Sequence, residues 1–150
     1  MWKTTMAKTE EQERLWYLVD ASEHVLGKMA ERIAACLTGK DRPDWTPHAD
    51  VGGGVVVTNA AKLNLTGRKE EQKQYERYSG YPGGRKVIPF RRMKERNPEF
   101  IIRHAVRLMM PKTTLARRML KRLRVYAGAE HPHAAQNPKK LEFRPEGRGH

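Results

Sequence analysis

Residues 16–39 have the sequence WYLVDASEHVLGKMAERIAACLTG, and this stretch decides the fold class. Its first part, Trp16-Tyr17-Leu18-Val19, is aromatic and aliphatic, which is typical of a buried strand. From Val25 to Leu37 apolar residues recur at three- and four-residue spacing, which predicts a helix with one buried face. Ser22 is the expected N-cap of this helix, and Gly39 follows its last apolar residue as a C′ glycine does. The stretch therefore predicts a strand followed by a helix.

A second apolar run extends this pattern. Val55-Val56-Val57-Thr58 is an unbroken β-branched run, as in parallel strands that are covered on both faces. A strand, a helix and a second strand predict a right-handed βαβ unit. Gly52-Gly53-Gly54 precedes the second strand, whereas the glycines of a dinucleotide fingerprint stand between a strand and a helix. We therefore interpret the three glycines as a turn and not as a phosphate loop.

The chain after residue 59 predicts smaller elements around this unit. The segment from Ala60 to Leu65 fits either a short helix or a strand. Residues 66–86 are polar and rich in glycine, which indicates an exposed excursion for which a strand pair is one interpretation. A helix begins at Phe90 and is interrupted at Asn97, which is the expected cap of the next helix, with Pro98 at its first position. The stripe expected to be buried on that next helix comprises Phe100, Ile101, Ala105, Leu108 and Met109.

A last helix is predicted over residues 114–124, with Thr113 or Thr114 as its cap. Its polar face carries five cations and no carboxylate, namely Arg117, Arg118, Lys121, Arg122 and Arg124. Helix faces in water normally mix the two signs of charge, because like charges one turn apart repel each other. The one-sided face fits a polyanion whose phosphates it neutralises. A soluble surface with a chance excess of charge is the alternative interpretation.

Length and charge limit the possible functions. The 150 residues correspond to about one domain, for which we expect a globular core over about residues 14–136 and flexible ends at 1–13 and 137–150. The formal net charge is +13. Residues 1–70 carry ten basic and ten acidic side chains, whereas residues 71–150 carry twenty basic and seven acidic ones. This asymmetry predicts a polyanionic partner for the second half of the chain.

Composition excludes several classes of protein. The single cysteine, Cys36, cannot form an internal disulfide, a zinc ribbon or a cysteine-ligated cluster. No apolar run approaches the roughly 18 residues of a membrane span, and the N-terminal residues lack the apolar centre of a secretory signal. We therefore expect a cytoplasmic protein without a membrane partner.

Residues 66–86 interleave six cations with three tyrosines and four glycines. Tyrosine stacks on unpaired bases, and glycine lets the backbone approach phosphate closely. An ordinary flexible loop whose tyrosines pack on the domain is the competing interpretation. Because no recognition helix of a DNA-binding type is apparent, this segment and the basic helix together favour RNA over duplex DNA.

Two groups of polar residues suggest a metal site or catalysis, and both have a simpler explanation. His131 and His133 beside Glu130 supply part of a zinc site, but a further ligand would have to come from Cys36 or His48, far along the chain. Loop histidines that bond backbone or phosphate are the simpler interpretation. A magnesium-dependent nuclease needs paired carboxylates. The spacing places no two of the candidate residues on one helix face or strand, these being Asp20, Asp41, Asp44 and Asp50. We therefore expect no metal and no cofactor.

Several stretches resemble one known family, in the same order along the chain. They include Trp16–Ala21, Leu26-Gly27-Lys28, Trp45–Asp50, Asn59–Gly67 and Tyr81-Pro82-Gly83-Gly84. The most specific are Met109–Lys112, Leu123–Gly128 and Glu130–Gln136. From about Trp16 to Gln136 the chain resembles the family of the thirteenth protein of the bacterial large ribosomal subunit.

This resemblance implies a three-layer α/β/α fold with a small, mainly parallel sheet, to which basic loops and a basic C-terminal helix are added. It implies a structural component of the large subunit that binds the ribosomal RNA early in assembly and lies beside neighbouring large-subunit proteins. It implies neither enzymatic activity nor a small-molecule substrate. The family usually has glycines where Thr113 and Ala116 stand here. Close approach of the backbone to RNA is therefore less expected at these two positions.

The charge pattern and the resemblance together predict a set of residues that contact ribosomal RNA. It comprises His48, Arg68, Lys69, Tyr78, Tyr81, Gly83, Gly84, Arg85, Lys86, Lys112, Arg117, Arg118, Lys121, Arg122, Arg124, His131 and His133. Three other hypotheses stay open at this point. They are a metal-dependent nuclease acting on RNA, a free RNA binder that represses translation, and a binder of membrane surfaces. For the last, the basic helix has the charge but lacks an aromatic residue on its apolar face.

Overall fold

The computed structural model describes residues 6–10, 12–141 and 143. Its main sheet consists of β1 (Trp16–Asp20), β2 (Gly54–Thr58), β5 (Leu123–Val125) and β6 (Lys139–Lys140). The other elements are α1 (Leu26–Thr38), α2 (Lys69–Gln72), β3 (Gln74–Tyr78), β4 (Arg85–Pro89), α3 (Phe90–Arg96), α4 (Pro98–Met109) and α5 (Thr114–Leu120). The main sheet has the order β5-β2-β1-β6, and every neighbouring pair is parallel. The predicted α/β class and mainly parallel sheet are confirmed, consistent with a three-layer α/β/α fold.

The predicted strand–helix–strand unit is formed by β1, α1 and β2. The two strands pair in parallel, with Trp16 beside Gly54. All five residues of β2 are buried, as expected for a central strand with a continuous apolar sequence. In β1 only Val19 is fully buried, which is less than predicted. The start of β1 is covered by a loop and not by a helix: the Trp16 ring stacks on the His133 ring, with the ring centroids 5.9 Å apart.

The start of α1 differs from the prediction, whereas its end agrees with it. Ser22 is not the N-cap, because the helix begins only at Leu26. The backbone N–H and the hydroxyl of Ser22 both donate to Asp20 Oδ1, at 2.9 and 2.7 Å, so the side chain is held in a local turn. At the other end, Gly39 has a φ of 81°, and its N–H donates to the Ala35 carbonyl at 2.9 Å.

The three glycines form no turn, so that prediction is wrong. Gly54 is the first residue of β2, and Gly52 and Gly53 lead directly into it. A methyl group added to Gly52 would lie 1.8 Å from the carbonyl oxygen of Leu37, and one added to Gly53 would lie 2.5 Å from that of Leu15. Glycine is therefore required at both positions, because the backbone packs closely against the end of α1 at Gly52 and against the residue before β1 at Gly53.

Residues 59–89 form short elements on the outside of the domain. The segment that fitted either a helix or a strand contains a 3-10 helix at Ala60–Lys62. Strands β3 and β4 pair antiparallel, which confirms the strand pair in the exposed excursion, although β4 extends to Pro89. Of the three tyrosines in this region, Tyr75 is buried, whereas Tyr78 and Tyr81 are exposed.

Helix α4 has the predicted cap but a different buried face. Asn97 Oδ1 accepts a hydrogen bond from the N–H of Phe100 at 3.1 Å, and Pro98 is the first helical residue. The fully buried residues are Ile101, Ile102 and Val106, and the exposed ones include Phe100, Leu108 and Met109. Ala105 is partly buried against the core. The apolar residues of α4 span an arc that is wider than the part of the helix covered by α1. Their spacing alone therefore does not tell which of them contact the core.

The C-terminal elements also depart from the prediction. Helix α5 ends at Leu120 and does not continue to residue 124. Leu123 and Val125 enter β5 instead, because a strand directs both side chains into the core. Strand β6 pairs with β1 and is followed by the buried Leu141, so the fold continues past the expected boundary at residue 136. Flexibility of the two ends stays a prediction, and residues 1–5 and 144–150 lie outside the described ones. No helix within the described ranges is long and apolar enough to cross a membrane.

Candidate nucleic-acid interface

Thr113 and Ala116, which stand where the family usually has glycines, both have structural roles at the start of α5. Thr113 Oγ1 accepts a hydrogen bond from the N–H of Ala116 at 3.2 Å, so Thr113 and not Thr114 is the cap. The methyl group of Ala116 is buried in the core. Both side chains therefore stabilise the helix, and neither leaves a gap for close approach of RNA to the backbone.

Helix α5 and the edge strand β5 present cations to solvent. Ala116 and Met119 anchor the helix in the core, and the opposite side bears Arg117, Arg118 and Lys121, all exposed. Arg124 is exposed on β5 between the buried Leu123 and Val125. None of these four cations forms an ion pair with a carboxylate of the residues that the structure describes. Their charge is available to an external anion.

Arg122 does not lie on this exposed face, which corrects the sequence prediction. It follows the end of α5, and its side chain and that of Asp50 are each only 11% exposed. Its Nη1 and Nη2 each donate to one Asp50 carboxylate oxygen at 2.6 Å. Nε donates to the Gly53 carbonyl at 3.1 Å, and Nη2 also donates to the Leu37 carbonyl at 3.3 Å. Four hydrogen bonds occupy the five-donor guanidinium, so we assign Arg122 to the fold and not to the RNA contacts.

The aspartates considered for a nuclease have separate partners. Asp50 binds Arg122 and lies 3.9 Å from Arg14. Asp20 accepts hydrogen bonds from Ser22 and Asn59. The remaining contacts are Asp41 with Cys36 Sγ at 3.1 Å and Asp44 with Arg42 at 3.7 Å. Within the described part of the chain, no three His, Cys, Asp or Glu side chains are grouped so that they could hold a metal ion.

The β3–β4 hairpin places two cations directly opposite each other. Arg77 is the cross-strand partner of Lys86, and both side chains are exposed. Like charges in this arrangement destabilise a free hairpin, so the pair fits a surface that meets an anion. Arg85 differs, because it forms a two-point ion pair with Glu76. This hydrogen bonding lowers the pKa of Glu76 below its usual range.

The hairpin tip exposes two tyrosine rings. Residues 81–84 form a turn in which Gly83 has a φ of 70° and the last N–H donates to the first carbonyl at 2.9 Å. Tyr78 and Tyr81 project near this turn, and neither ring contacts another aromatic ring among the described residues. Tyr75 belongs to the core instead, and burial raises its pKa to about 12. Two of the three tyrosines can therefore stack on unpaired bases.

Two surface depressions beside α5 bring predicted residues together. His48 and Arg118 line one pocket with Arg14. Lys112 and Arg117 line a groove with Arg107. Arg68 and Lys69 lie apart from these depressions, exposed at the start of α2 before the hairpin.

Three cations that line these depressions or the hairpin were not in the predicted set, namely Arg14, Arg77 and Arg107. Arg77 could have been found from the sequence, because it is one of the six cations of residues 66–86 and points to the opposite face of the strand from Glu76 and Tyr78. Arg14 and Arg107 join the surface only through tertiary contacts. The pKa of His104 is lowered by burial and by the positive charges of Arg107 and Lys73.

The two loop histidines are largely engaged within the protein. His133 Nε2 shares a hydrogen bond of 2.7 Å with the hydroxyl of Tyr126, and its ring stacks on Trp16. The backbone N–H of His133 donates to His131 Nδ1 at 3.3 Å. This agrees with the interpretation of the pair as loop histidines that bond within the protein.

Comparison with known proteins finds similarity to one family over most of the chain. The family model described as "Ribosomal protein L13" matches residues 14–132. The protein "Large ribosomal subunit protein uL13" of Thermosipho africanus is 55% identical over 141 residues, covering 94% of this chain and 95% of that protein. Proteins of the same name from Rubrobacter xylanophilus and Thermotoga maritima are 54% and 56% identical. These alignments cover 95% and 94% of this chain, and 99% and 95% of the respective relatives.

Proposed function

Because the chain belongs to the ribosomal protein L13 family, we propose that its basic surface binds the ribosomal RNA of the large subunit and supports early assembly of that subunit. The membership itself makes the chain a structural protein of the large ribosomal subunit and not an enzyme. It also agrees with the cytoplasmic location expected from the sequence.

The observation that carries the RNA proposal is the group of exposed cations without a carboxylate partner among the described residues. They lie on α5, β5 and the hairpin, and they are Arg117, Arg118, Lys121, Arg124, Arg77 and Lys86. Other cations, such as Arg32, Arg42 and Arg91, lie beside carboxylates. Among the cations of the described residues that do not, Lys62, Arg96 and Lys139 each lie on a different element outside this surface. A surface whose charges are left uncompensated binds phosphates and releases their counterions.

The two parts of this surface have different roles in the proposed complex. The α5 cations neutralise backbone phosphates, which fixes the position of the protein on the RNA without reading its sequence. At the hairpin tip, Tyr78 and Tyr81 stack on bases that are not paired, while Arg77 and Lys86 bind the adjoining phosphates. This combination favours folded RNA with exposed loops over a plain duplex.

The dependence of RNA affinity on salt tests the proposal. We expect binding to a large-subunit ribosomal RNA fragment to fall with salt, with a slope of about −6 to −7 in a double-logarithmic plot. This corresponds to about 8 neutralised phosphates. A slope near −2 would contradict a surface that spans α5 and the hairpin.

A charge-reversal variant locates the binding. Replacing Arg117, Arg118 and Lys121 by Glu should weaken RNA binding at least about 100-fold, because three phosphate contacts are lost. The matched control replaces three exposed cations outside the surface by Glu, namely Lys62, Arg96 and Lys139, and gives the same total charge. Circular dichroism checks that both variants are folded. Equal loss of affinity in both would mean that only net charge matters, and the proposed surface would be wrong.

The assembly role has its own test. If the chain acts early, it should be present in precursor particles of the large subunit separated on a sucrose gradient, before most other proteins have joined. It should resist a moderate salt wash of these particles. Presence only in mature subunits would refute early action while leaving RNA binding intact.

A further inference from the structure

The corner between α4 and α5 contains an apolar groove that the proposed RNA contacts do not use. The groove has a volume of about 570 Å³. Its apolar lining comes from Trp45, Pro47, Met109, Pro111, Leu115 and Met119. Two of these side chains are substantially exposed, Met109 at 48% and Trp45 at 38%. Exposed apolar groups that line one concavity are typical of an interaction site.

A second, smaller groove continues the first around the same corner. It has a volume of about 420 Å³ and shares Met110, Pro111, Thr113 and Ala116 with the first groove. Leu108 lies in it and is 64% exposed. The three most exposed apolar side chains of this corner, Trp45, Leu108 and Met109, therefore belong to two connected depressions. Methionine at such a surface adapts its shape to a partner side chain.

We infer that this corner docks a segment of a neighbouring protein that inserts an apolar side chain and carries carboxylates beside it. The charge of the rim argues for the carboxylates. Lys40 borders the first groove and Arg107 borders the second, where Lys112 and Arg117 form the edge shared with the proposed RNA surface, and neither groove is lined by an Asp or a Glu. An acidic segment with an apolar anchor complements both the lining and the rim.

The polar groups of the groove argue against an RNA base as the occupant. The Thr38 hydroxyl donates to the Ala34 carbonyl at 2.9 Å, and Thr113 Oγ1 accepts the capping hydrogen bond of α5. Thr38 is left only as an acceptor and Thr113 can still donate its hydroxyl hydrogen, which together are fewer partners than the polar edge of a buried base needs, and an unpaired buried polar group is costly. Leu108, Met109 and Leu115 are aliphatic, and the aromatic ring of the groove, Trp45, has Lys40 Nζ 5.8 Å from its centroid, so that this cation competes with a base for one face of the ring. An aliphatic or aromatic side chain has no such polar edge.

A photo-crosslinking amino acid at position 109 tests the inference in the assembled large subunit. p-Benzoylphenylalanine replaces Met109 in cells, the large subunits are isolated and irradiated, and the products are digested separately with nuclease and protease. We expect a protein adduct at least about tenfold more abundant than any RNA adduct. The crosslinked peptide should carry Asp or Glu within about four residues of the attachment point.

The same probe at Tyr78 is the matched control, because we propose that this residue meets RNA. An RNA adduct at position 109, no adduct there, or a crosslinked peptide without acidic residues would each overturn the docking site. A protein adduct at 109 with no RNA adduct at 78 would support the docking site while contradicting the RNA role of the hairpin. The docking site therefore stands or falls separately from the proposed RNA contacts of the hairpin.

A variant adds a chemical test. Met109→Glu introduces a negative charge at an exposed position, so the fold is retained. With the probe moved to Leu108, we expect this variant to reduce the protein adduct at least about tenfold, because a carboxylate repels an acidic partner and leaves the anchor unmatched. Met109→Leu should keep the adduct. Equal yields from the two variants would overturn the inference.

Discussion

Helix α5 and the segment that follows it, residues 121–125, carry similar basic sequences but use their charges differently. Arg118 is exposed and lines a surface pocket with His48. Arg122, one helical turn later in sequence, is held by Asp50 and two backbone carbonyls. The comparison teaches that a run of cations is not one functional unit. Whether each charge is free depends on which carboxylates and carbonyls the fold brings within its reach.

The end of α5 at Leu120 separates the two settings. Up to that residue the chain has helical periodicity, and the cations point away from the buried Ala116 and Met119. Beyond it the chain enters β5, where alternate residues point to opposite faces. Arg122 then reaches the loop before β2, and Arg124 is exposed again. The turn at residues 121–122, and not the period of either element, therefore places one cation against the loop before β2 within an otherwise exposed series.

The largest expected effect is on stability, from breaking the Arg122–Asp50 pair. Arg122→Met should lower the free energy of unfolding by about 3 kcal/mol, because Asp50 is left nearly buried with only the half-exposed Arg14, 3.9 Å away, beside it. Urea denaturation measures the change. Arg118→Met should alter stability by less than about 0.5 kcal/mol, as usual for a surface substitution. If the two variants are equally stable, the contrast between the two segments is wrong.

A double variant refines this test. Asp50→Leu combined with Arg122→Met should recover a substantial part of the lost stability, because replacing both partners removes the unpaired charge. No recovery would mean that the hydrogen bonds from Arg122 to the carbonyls of Gly53 and Leu37 carry most of the effect.

An intermediate effect is expected at the cap of α5. Thr113→Ala removes the hydrogen bond to the Ala116 N–H and should destabilise the protein by about 1 kcal/mol. Because the helix carries the exposed cations, RNA affinity should also fall slightly as its first turn frays. Thr114→Ala is the control, since Thr114 is not the cap. Thermal unfolding that ranks Thr114→Ala as the more harmful change would contradict the assignment of the cap.

The smallest effect is expected in the hairpin and has opposite signs for stability and binding. Arg77→Gln removes the like-charge contact with Lys86, so the free protein should become more stable by about 0.2 to 1 kcal/mol. RNA affinity should fall at the same time because one phosphate contact is lost. Arg85→Gln is the comparison variant, because Arg85 is paired with Glu76. A gain of stability in Arg85→Gln, or none in Arg77→Gln, would contradict the distinction between the two arginines.

Local sequence chemistry predicted the elements that depend on neighbouring residues. The β1–α1–β2 order, the cap at Asn97 and the glycine at the end of α1 are all confirmed. Ser22 failed because the nearby Asp20 competed for its hydroxyl and N–H. The buried face of α4 failed because several faces satisfied the same spacing.

For the candidate RNA-binding site, the residue types were predicted more completely than the individual residues that form it. The excess of charge in the second half and the basic helix followed from residue types alone, whereas the division of the tyrosines into the buried Tyr75 and the exposed Tyr78 and Tyr81 did not. The partner of Arg122 stands 72 residues away in sequence, so no local pattern indicated it. Arg14 and Arg107 joined the surface through contacts of the same long-range kind.

The amino-acid sequence by itself determined the α/β class, the parallel pairing of β1 and β2 and the preference for a polyanionic partner. These depend on periodicity, β-branched runs and net charge, which are local or summed properties of the residues. The tertiary structure alone decided that Arg122 is part of the fold, that the three glycines serve close packing and that Met109 and Leu108 remain exposed. These outcomes depend on which distant groups occupy the same space, because packing and hydrogen bonding are settled only when the elements meet.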